Sequence, residues 1–131
     1  LTKKNFTLDG GGKSTRYFIH SKDILSAFDK LIESKYVRSE FNFSGNEEVS
    51  ISDLVDLICN ITNTNREQFV HNGPERPGKD AHYRLDCSKS LELLQWRPEI
   101  SLIKGLNDVK EWVEKNINEL SQHSWNYKHS R

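Results

Sequence analysis

Hydrophobic and polar positions along the chain predict short strands that alternate with amphipathic helices. Strand candidates are short runs of aromatic and β-branched residues bounded by turn formers, at residues 6–8, 17–20, 40–43 and 68–71. The clearest helix is predicted over residues 102–120, where apolar side chains recur every three or four positions. This alternation predicts a mixed α/β fold.

Three further helices are predicted, each beginning near a serine that can cap its first turn. They start at Ser21, Ser50 and Ser88 and extend to about residues 35, 61 and 96. Asp53 lies three residues after Ser50, which is the spacing of a reciprocal cap. Pro98 ends the third helix because proline cannot continue a helix and also restricts the residue before it.

Length and composition predict one small domain. The chain has 131 residues, of which 34% are hydrophobic. Leu, Ile, Val and Phe together make up about a quarter, above the roughly 20% below which a charged chain remains disordered. We expect a folded domain over residues 1–120 and a polar tail over residues 121–131. The sequence begins at Leu1 and contains no methionine, so we expect it to be a piece of a longer protein.

Charge, hydropathy and cysteine content exclude several classes of partner. Nineteen basic residues balance nineteen acidic ones, so no basic face for nucleic acid is predicted. No apolar run approaches the length of a membrane span. Cys59 and Cys87 are far apart in the sequence, which argues against a disulfide framework. We therefore expect a cytoplasmic protein with two buried thiols and no membrane contact.

Residues 12–14, Gly-Lys-Ser, look like the end of a phosphate-binding P-loop. That motif needs another glycine five residues before Gly12, where Thr7 stands. It also needs a helix directly afterwards, where a strand is predicted instead. Residues 10–12 are therefore interpreted as a flexible glycine turn.

No residues in the sequence form a catalytic, metal-ligating or cofactor-binding set. The five histidines lack metal-ligand spacing, and the glycine fingerprint of a dinucleotide cradle is missing. None of the four tyrosines has a lysine four places on. Cys87 and His82 are near enough in sequence to pair as nucleophile and base, but nothing orients them, so structural roles are expected.

Four motifs follow one another along the chain. They are GGGKSTRYFIHSKD at 10–23, FNFSG at 41–45, ERPGKDAHYRLD at 75–86, and S-K-x4-L-x-W-x-P at 88–98. This order resembles the C-terminal portion of the extended short-chain dehydrogenases/reductases that act on nucleotide sugars, and among them the dehydratases. The resemblance covers about residues 6–116. It implies an α/β substrate-binding part of a Rossmann-type enzyme, without the dinucleotide-binding core.

The resemblance also implies which residues bind a nucleoside diphosphate sugar, with a dTDP-sugar favoured. Arg16 and Arg76 match the ligands of its pyrophosphate, and Asn42 matches a polar contact to the nucleotide sugar. Guanidinium groups suit this role on physical grounds, because they form paired, charge-assisted hydrogen bonds with phosphate oxygens. Lys79 stands where the family usually has histidine, and it is expected to reach phosphate or ribose.

Two more residues match the family pattern but are expected to have structural roles. Tyr83 is expected to be a packed ring with a bonded hydroxyl. Asp86 is expected to cap the helix that begins at Ser88.

Members of this family oxidise the sugar with bound NAD, eliminate water and return the hydride. Their tyrosine–lysine pair and acid–base carboxylates belong to an N-terminal dinucleotide domain. The resemblance therefore implies NAD in a full-length parent and an inactive chain here that does not hold NAD. Strand edges and apolar patches left without that domain should make the chain self-associate, so a homo-oligomer is expected.

Two other functions fit the sequence. One is an epimerase or a nucleotide-sugar decarboxylase of the same architecture. The other is a module that binds sugar nucleotides or partners without catalysis. An N-terminal domain with the glycine fingerprint and a Tyr-x-x-x-Lys pair would distinguish an enzyme from such a module.

Overall fold

The computed structural model of the chain describes residues 4–36 and 38–123, so most of the expected polar tail lies outside the described residues. The elements follow one another as strands and helices joined by short connections. Their bounds are β1 (Phe6–Asp9), β2 (Thr15–Tyr17), α1 (Ser21–Glu33), β3 (Glu48–Ser50), α2 (Ile51–Ile61), α3 (Arg66–Phe69), β4 (Val70–Gly73), α4 (Ser88–Leu94) and α5 (Leu102–Leu120). The predicted mixed α/β class is confirmed.

The strands form two small sheets. Strands β1 and β4 pair in parallel, with Phe6 opposite Val70 and Leu8 opposite Asn72. Strands β2 and β3 pair antiparallel, with Arg16 opposite Val49. A sheet of two strands is marginally stable alone, so each pair depends on the helices and loops packed around it.

Three of the four predicted strands need correction. The second lies at β2, earlier than predicted, because residues 18–20 lead into the cap of α1. The fourth is shifted to β4 because residues 66–69 form helix α3. This helix was not predicted, since its short and mostly polar sequence shows no hydrophobic periodicity. Residues 40–43 form no strand, since Phe41 and Phe43 pack against the core without a backbone ladder. Residues 6–8 fall in a strand as predicted, whereas the second and fourth predictions overlap their strands only at residue 17 and at residues 70–71.

The predicted helices are confirmed, but the caps of α1 and α4 differ, and no side chain at the N-cap of α4 forms a hydrogen bond. Helix α1 is capped by His20, whose Nδ1 accepts the N–H of Lys22, and not by Ser21. The reciprocal cap of α2 is confirmed: Ser50 Oγ accepts the N–H of Asp53 at 3.0 Å and donates to its carboxylate at 2.6 Å.

Trp96 is the centre of the main core. It is 4% exposed and lies against the buried Ala27 and Leu94. Its ring meets Phe43 edge-on, with centroids 4.8 Å apart and planes at 83°. Its indole N–H donates to Ser26 Oγ at 2.9 Å, so this large apolar side chain leaves no buried donor unpaired.

Asp23 ties the start of α1 to the chain that enters α5. It is 5% exposed. Its two carboxylate oxygens accept the backbone N–H groups of Glu99 and Ile100, both at 3.1 Å. Removal of this carboxylate would leave both amides without their hydrogen-bond partner at a part-buried junction.

We predict that Asp23→Ala lowers the free energy of unfolding by about 3 kcal/mol, since each hydrogen bond from these amides to the charged carboxylate contributes roughly 1.5–3 kcal/mol. Urea denaturation measures the change. Asp29→Ala is the control because Asp29 is exposed on the same helix. Equal losses in the two variants would contradict the role given to Asp23.

Candidate functional site

The connection between β4 and α4, residues 74–87, is fixed to the segment that joins β1 to β2. The N–H of Gly10 donates to Pro74 O at 3.2 Å, and the N–H of Thr15 donates to Ala81 O at 2.8 Å. Thr15 also forms a parallel bridge with His82. The 74–87 loop therefore runs beside residues 10–15.

Arg16 reaches across this junction from β2. Its Nη1 donates to Thr15 O at 2.6 Å and its Nη2 donates to Asp80 O at 3.0 Å. A guanidinium has five N–H donors, so these two bonds orient the group and leave donors for a ligand.

The other two predicted basic ligands lie in the 74–87 loop and differ in exposure and in their hydrogen-bond partners. Arg76 is exposed, and within the described residues its guanidinium has no hydrogen bond or ion pair. Lys79 has a side chain only 13% exposed. Its Nζ lies 3.4 Å from Glu75 Oε1 and 3.4 Å from Asp9 O. Arg76 is therefore available to an anion in solution, whereas Lys79 already has partners.

Asn42 lies at the far end of the same loop. Its Nδ2 donates to Asp86 O at 3.0 Å, and its backbone carbonyl accepts a hydrogen bond from the buried Ser90 hydroxyl. The structure thus places all four predicted ligands in or against the 74–87 loop. Arg76 and Lys79 lie in its first half, and Arg16 contacts that half from β2. Asn42 contacts its last residues.

Sequence reasoning missed a polar cluster beside Arg16. Thr15 Oγ1 donates to Glu48 Oε1 at 2.6 Å and lies 2.8 Å from His82 Nδ1. The hydroxyl of Tyr17 donates to the other oxygen of Glu48 at 3.3 Å. These residues lie 31 to 67 positions apart in sequence, so no local pattern signals the cluster.

This cluster changes the ionisation of Glu48. The hydrogen bond from Thr15 is the main reason that the pKa of Glu48 is lowered, and the Tyr17 hydroxyl and the charges of His82 and Arg84 act in the same direction. Desolvation opposes the shift. The ionised carboxylate is therefore the form that holds β3 to β2 and, through Thr15, to the 74–87 loop.

A cleft of about 660 Å³ opens near Tyr17, between the end of the 74–87 loop and the residues after α4. Its charged lining residues are Arg84, Asp86 and Arg97. None of the four predicted ligands lines it. The cleft is thus separate from the arrangement around Arg16 and Arg76.

Cys87 and His82 do not form a nucleophile–base pair. The thiol of Cys87 donates to Leu85 O at 3.8 Å, while His82 bonds Thr15. Burial raises the pKa of the Cys87 thiol, and the charge of Asp86 raises it further. A thiol with a raised pKa is a poor nucleophile at neutral pH, which agrees with a structural role.

The structural role expected for Asp86 is confirmed, and the packing expected for Tyr83 is wrong. Asp86 Oδ1 accepts the N–H of Ser88 at 2.9 Å and its hydroxyl at 2.6 Å. These two hydrogen bonds lower the pKa of Asp86. Tyr83 is 55% exposed because the extended loop carries its ring away from the core.

The described residues contain neither a metal-binding cluster nor a membrane-spanning helix. No group of three or more histidine, cysteine, aspartate and glutamate side chains there is placed to hold a metal ion. No helix in the same ranges is long and apolar enough to cross a membrane.

Comparison with known proteins identifies the class of enzyme that this chain resembles. No model of a known protein family matches it. Its relatives are nucleotide-sugar 4,6-dehydratases, and its structural neighbours are these dehydratases and nucleotide-sugar epimerases. The resemblance seen in the motifs, to the C-terminal portion of such enzymes, is confirmed.

The particular relatives are mostly dTDP-glucose 4,6-dehydratases. The human enzyme is 28% identical over 123 residues, which cover 90% of this chain and 33% of the enzyme. The Escherichia coli enzyme is 26% identical over 125 residues, or 90% of this chain and 34% of that enzyme. The chain therefore spans about a third of the length of the curated relatives that it matches.

Solved structures give the same picture. The dTDP-glucose 4,6-dehydratase of Bacillus anthracis, in complex with NAD, superposes with a TM-score of 0.79 at 25% identity. UDP-glucose 4-epimerase of Thermotoga maritima, with UDP-glucose, superposes with a TM-score of 0.80 at 26% identity. Each match covers 88% of this chain and 36% of the other.

We predict that acid destabilises the wild-type chain partly through Glu48. Because the folded-state pKa of Glu48 is below its ordinary value of 4.5, its contribution is present above that value and is lost as the pH falls through the lowered pKa. Glu48→Gln should therefore be less stable at neutral pH and should lose less stability on acidification. Urea denaturation over a pH series measures both effects. Parallel curves for wild type and variant would contradict the prediction.

Proposed function

We propose that this chain is the nucleotide-sugar-binding part of an NAD-dependent 4,6-dehydratase, an enzyme that converts a nucleotide-linked glucose to its 4-keto-6-deoxy form. The observation that carries the proposal is the free guanidinium of Arg76 on a loop that also orients Arg16. Similarity to dTDP-glucose 4,6-dehydratases over 90% of the chain supports it.

Electrostatics favours a diphosphate as the ligand of this loop. A pyrophosphate carries two negative charges, and each charge-assisted hydrogen bond to it contributes roughly 1.5–3 kcal/mol. Arg76 is unpaired within the described residues, so an anion displaces no ion pair to reach it. Arg16 is already oriented by Thr15 O and Asp80 O, which lowers the entropy cost of binding.

A UDP-sugar epimerase is the second candidate. The superposition on UDP-glucose 4-epimerase supports it as strongly as the one on the dehydratase. Because Lys79 replaces the family's usual histidine, the loop sequence does not distinguish a dTDP-sugar from a UDP-sugar. We favour dTDP because the curated dehydratase relatives are mostly dTDP enzymes.

We further propose that NAD is held in the parent enzyme by a domain other than this chain. NAD is bound in solved dehydratases and epimerases with which the chain superposes. The residues present do not fit a dinucleotide, because a strand, not a helix, follows the glycine turn and the Glu75 carboxylate lies against Gly10. The chain alone is therefore proposed to be inactive. Two free cysteines suit the proposed cytoplasmic location.

We predict that dTDP binds the wild-type chain and that Arg76→Gln weakens binding by about tenfold, which corresponds to roughly 1.4 kcal/mol. Isothermal titration calorimetry with dTDP and then UDP measures the affinities. Arg38→Gln is the matched control because Arg38 is an exposed arginine outside the 74–87 loop.

The order of the two nucleotides distinguishes the two candidate functions. Tighter binding of dTDP supports the dehydratase, and tighter binding of UDP supports the epimerase. Equal weakening by Arg76→Gln and Arg38→Gln would mean that only net charge matters, and it would contradict a specific role for Arg76.

One face of α1 gives a reason to propose self-association. Leu25, Phe28 and Ile32 are 62%, 54% and 81% exposed, and their spacing places them on the same side of the helix. We propose that the missing dinucleotide domain covers this face in the parent enzyme. In the isolated chain a second copy replaces it, as expected for a sizeable exposed apolar patch.

We predict that the chain forms dimers or larger species and that Phe28→Asp shifts it towards the monomer. Sedimentation velocity over a concentration series measures this. Lys30→Gln is the control, since it makes the net charge more negative by the same one unit and Lys30 is exposed on the opposite side of the same helix. A wild-type monomer at every concentration would contradict the proposal.

A further inference from the structure

We infer that Glu75 and Lys79 are positioning residues: their ion pair, seated on Gly10, orders the first half of the 74–87 loop, and Lys79 holds the loop without touching the ligand. Lys79 thereby loses the direct contact that sequence assigned to it. The part of the inference that concerns ligand binding rests on the proposed function.

The seat of the pair is the backbone of Gly10. Its φ is +59°, a conformation that favours glycine. A Cβ at this position would overlap the Glu75 carboxylate, so the carboxylate lies directly against the glycine backbone. The N–H of Gly10 donates to Pro74 O, which fixes the residue before Glu75 to the same turn.

The carboxylate of Glu75 organises the residues that follow it. Its Oε1 accepts the N–H of Arg76 at 3.1 Å and lies 3.4 Å from Lys79 Nζ. Lys79 also donates to Asp9 O, and its side chain is 13% exposed against 55% for Glu75. The mostly buried lysine therefore links the loop to the end of β1, while Arg76 is the basic side chain exposed to solvent in this half of the loop.

Charge separates the two basic side chains in the first half of the loop, Arg76 and Lys79. Glu75 neutralises Lys79 at close range, so the pair presents little net field to an incoming anion. The guanidinium of Arg76 has no partner among the described residues. The positive charge that a diphosphate meets on this half of the loop is thus that of Arg76.

The effect of Glu75→Gln distinguishes positioning from direct contact by its sign. If Lys79 were a ligand, loss of the carboxylate would free the lysine and remove a negative charge near the anion, so binding would tighten. If the pair orders the loop, the same substitution also loosens the loop, and this loss of order outweighs the removed negative charge, so binding weakens. The two roles predict opposite changes from one variant.

The test uses Glu75→Gln, Lys79→Gln and the double variant in the 131-residue chain. Without ligand, amide hydrogen exchange of Gly10 and Thr15, which donate to Pro74 O and Ala81 O, reports whether the loop is docked. We expect faster exchange in each single variant and a smaller increase in the double variant than the sum of the two, because both single variants break the same ion pair. Glu114→Gln, which breaks the comparable Lys110–Glu114 pair on α5, is the control.

Titration with dTDP is the second readout. Glu75→Gln should raise the Kd several-fold. The double variant, which leaves the local net charge unchanged, should leave the salt dependence of binding unchanged, whereas Arg76→Gln should reduce it, because a charge within a Debye length of the anion, about 8–10 Å, contributes to that dependence. Tighter binding by Glu75→Gln, or a weaker salt dependence in the double variant, would overturn the inference.

The exchange measurement keeps the two proposals separable. If the wild-type chain binds neither dTDP nor UDP, the proposed function fails, and the exchange rates still decide whether the pair orders the loop. Unchanged exchange rates in both single variants would contradict the ordering role of the Glu75–Lys79 pair, whatever the chain binds.

Discussion

The attachment of the 74–87 loop to residues 10–16 is the constraint on which the candidate site depends. Two backbone hydrogen bonds, Gly10 to Pro74 and Thr15 to Ala81, hold the loop at points seven residues apart. Arg16 adds a third bond, to the carbonyl of Asp80. Without them, the exposed Arg76 would sit on an untethered surface loop, where the entropy cost of ordering it would offset much of its attraction for an anion.

The rest of the fold supports this junction from two sides. Trp96 and its aromatic neighbours fix the 41–43 segment, from which Asn42 reaches the end of the loop. Strand β4 delivers the start of the loop beside β1, because the parallel register brings Gly73 opposite Asp9. The loop is thus held at both ends by packed elements while its surface stays open to solvent.

The features that the sequence predicts correctly are those that depend on residues close together in the chain. The cap of α2 and the long stripe of α5 were correct because each depends on residues within one or two helical turns. Two strands lie away from their predicted positions because the bounds of a strand depend on partners distant in sequence. Phe41 and Phe43 alternate with polar residues as in a strand, but their segment pairs with no other strand among the described residues. Motif order predicts Arg16 and Arg76 as ligands. It could not show that Lys79 is bound to Glu75, or that Glu48 joins Thr15, since those contacts exist only after folding.

The most direct test of the central claim is an NMR titration of the isotopically labelled chain with dTDP. We predict that amide shifts concentrate in residues 9–16 and 74–82, and that the side-chain signals of Arg76 move. Shifts confined to the cleft near Tyr17, Arg84 and Arg97, or the absence of any shift with both dTDP and UDP, would contradict a nucleotide site on this loop.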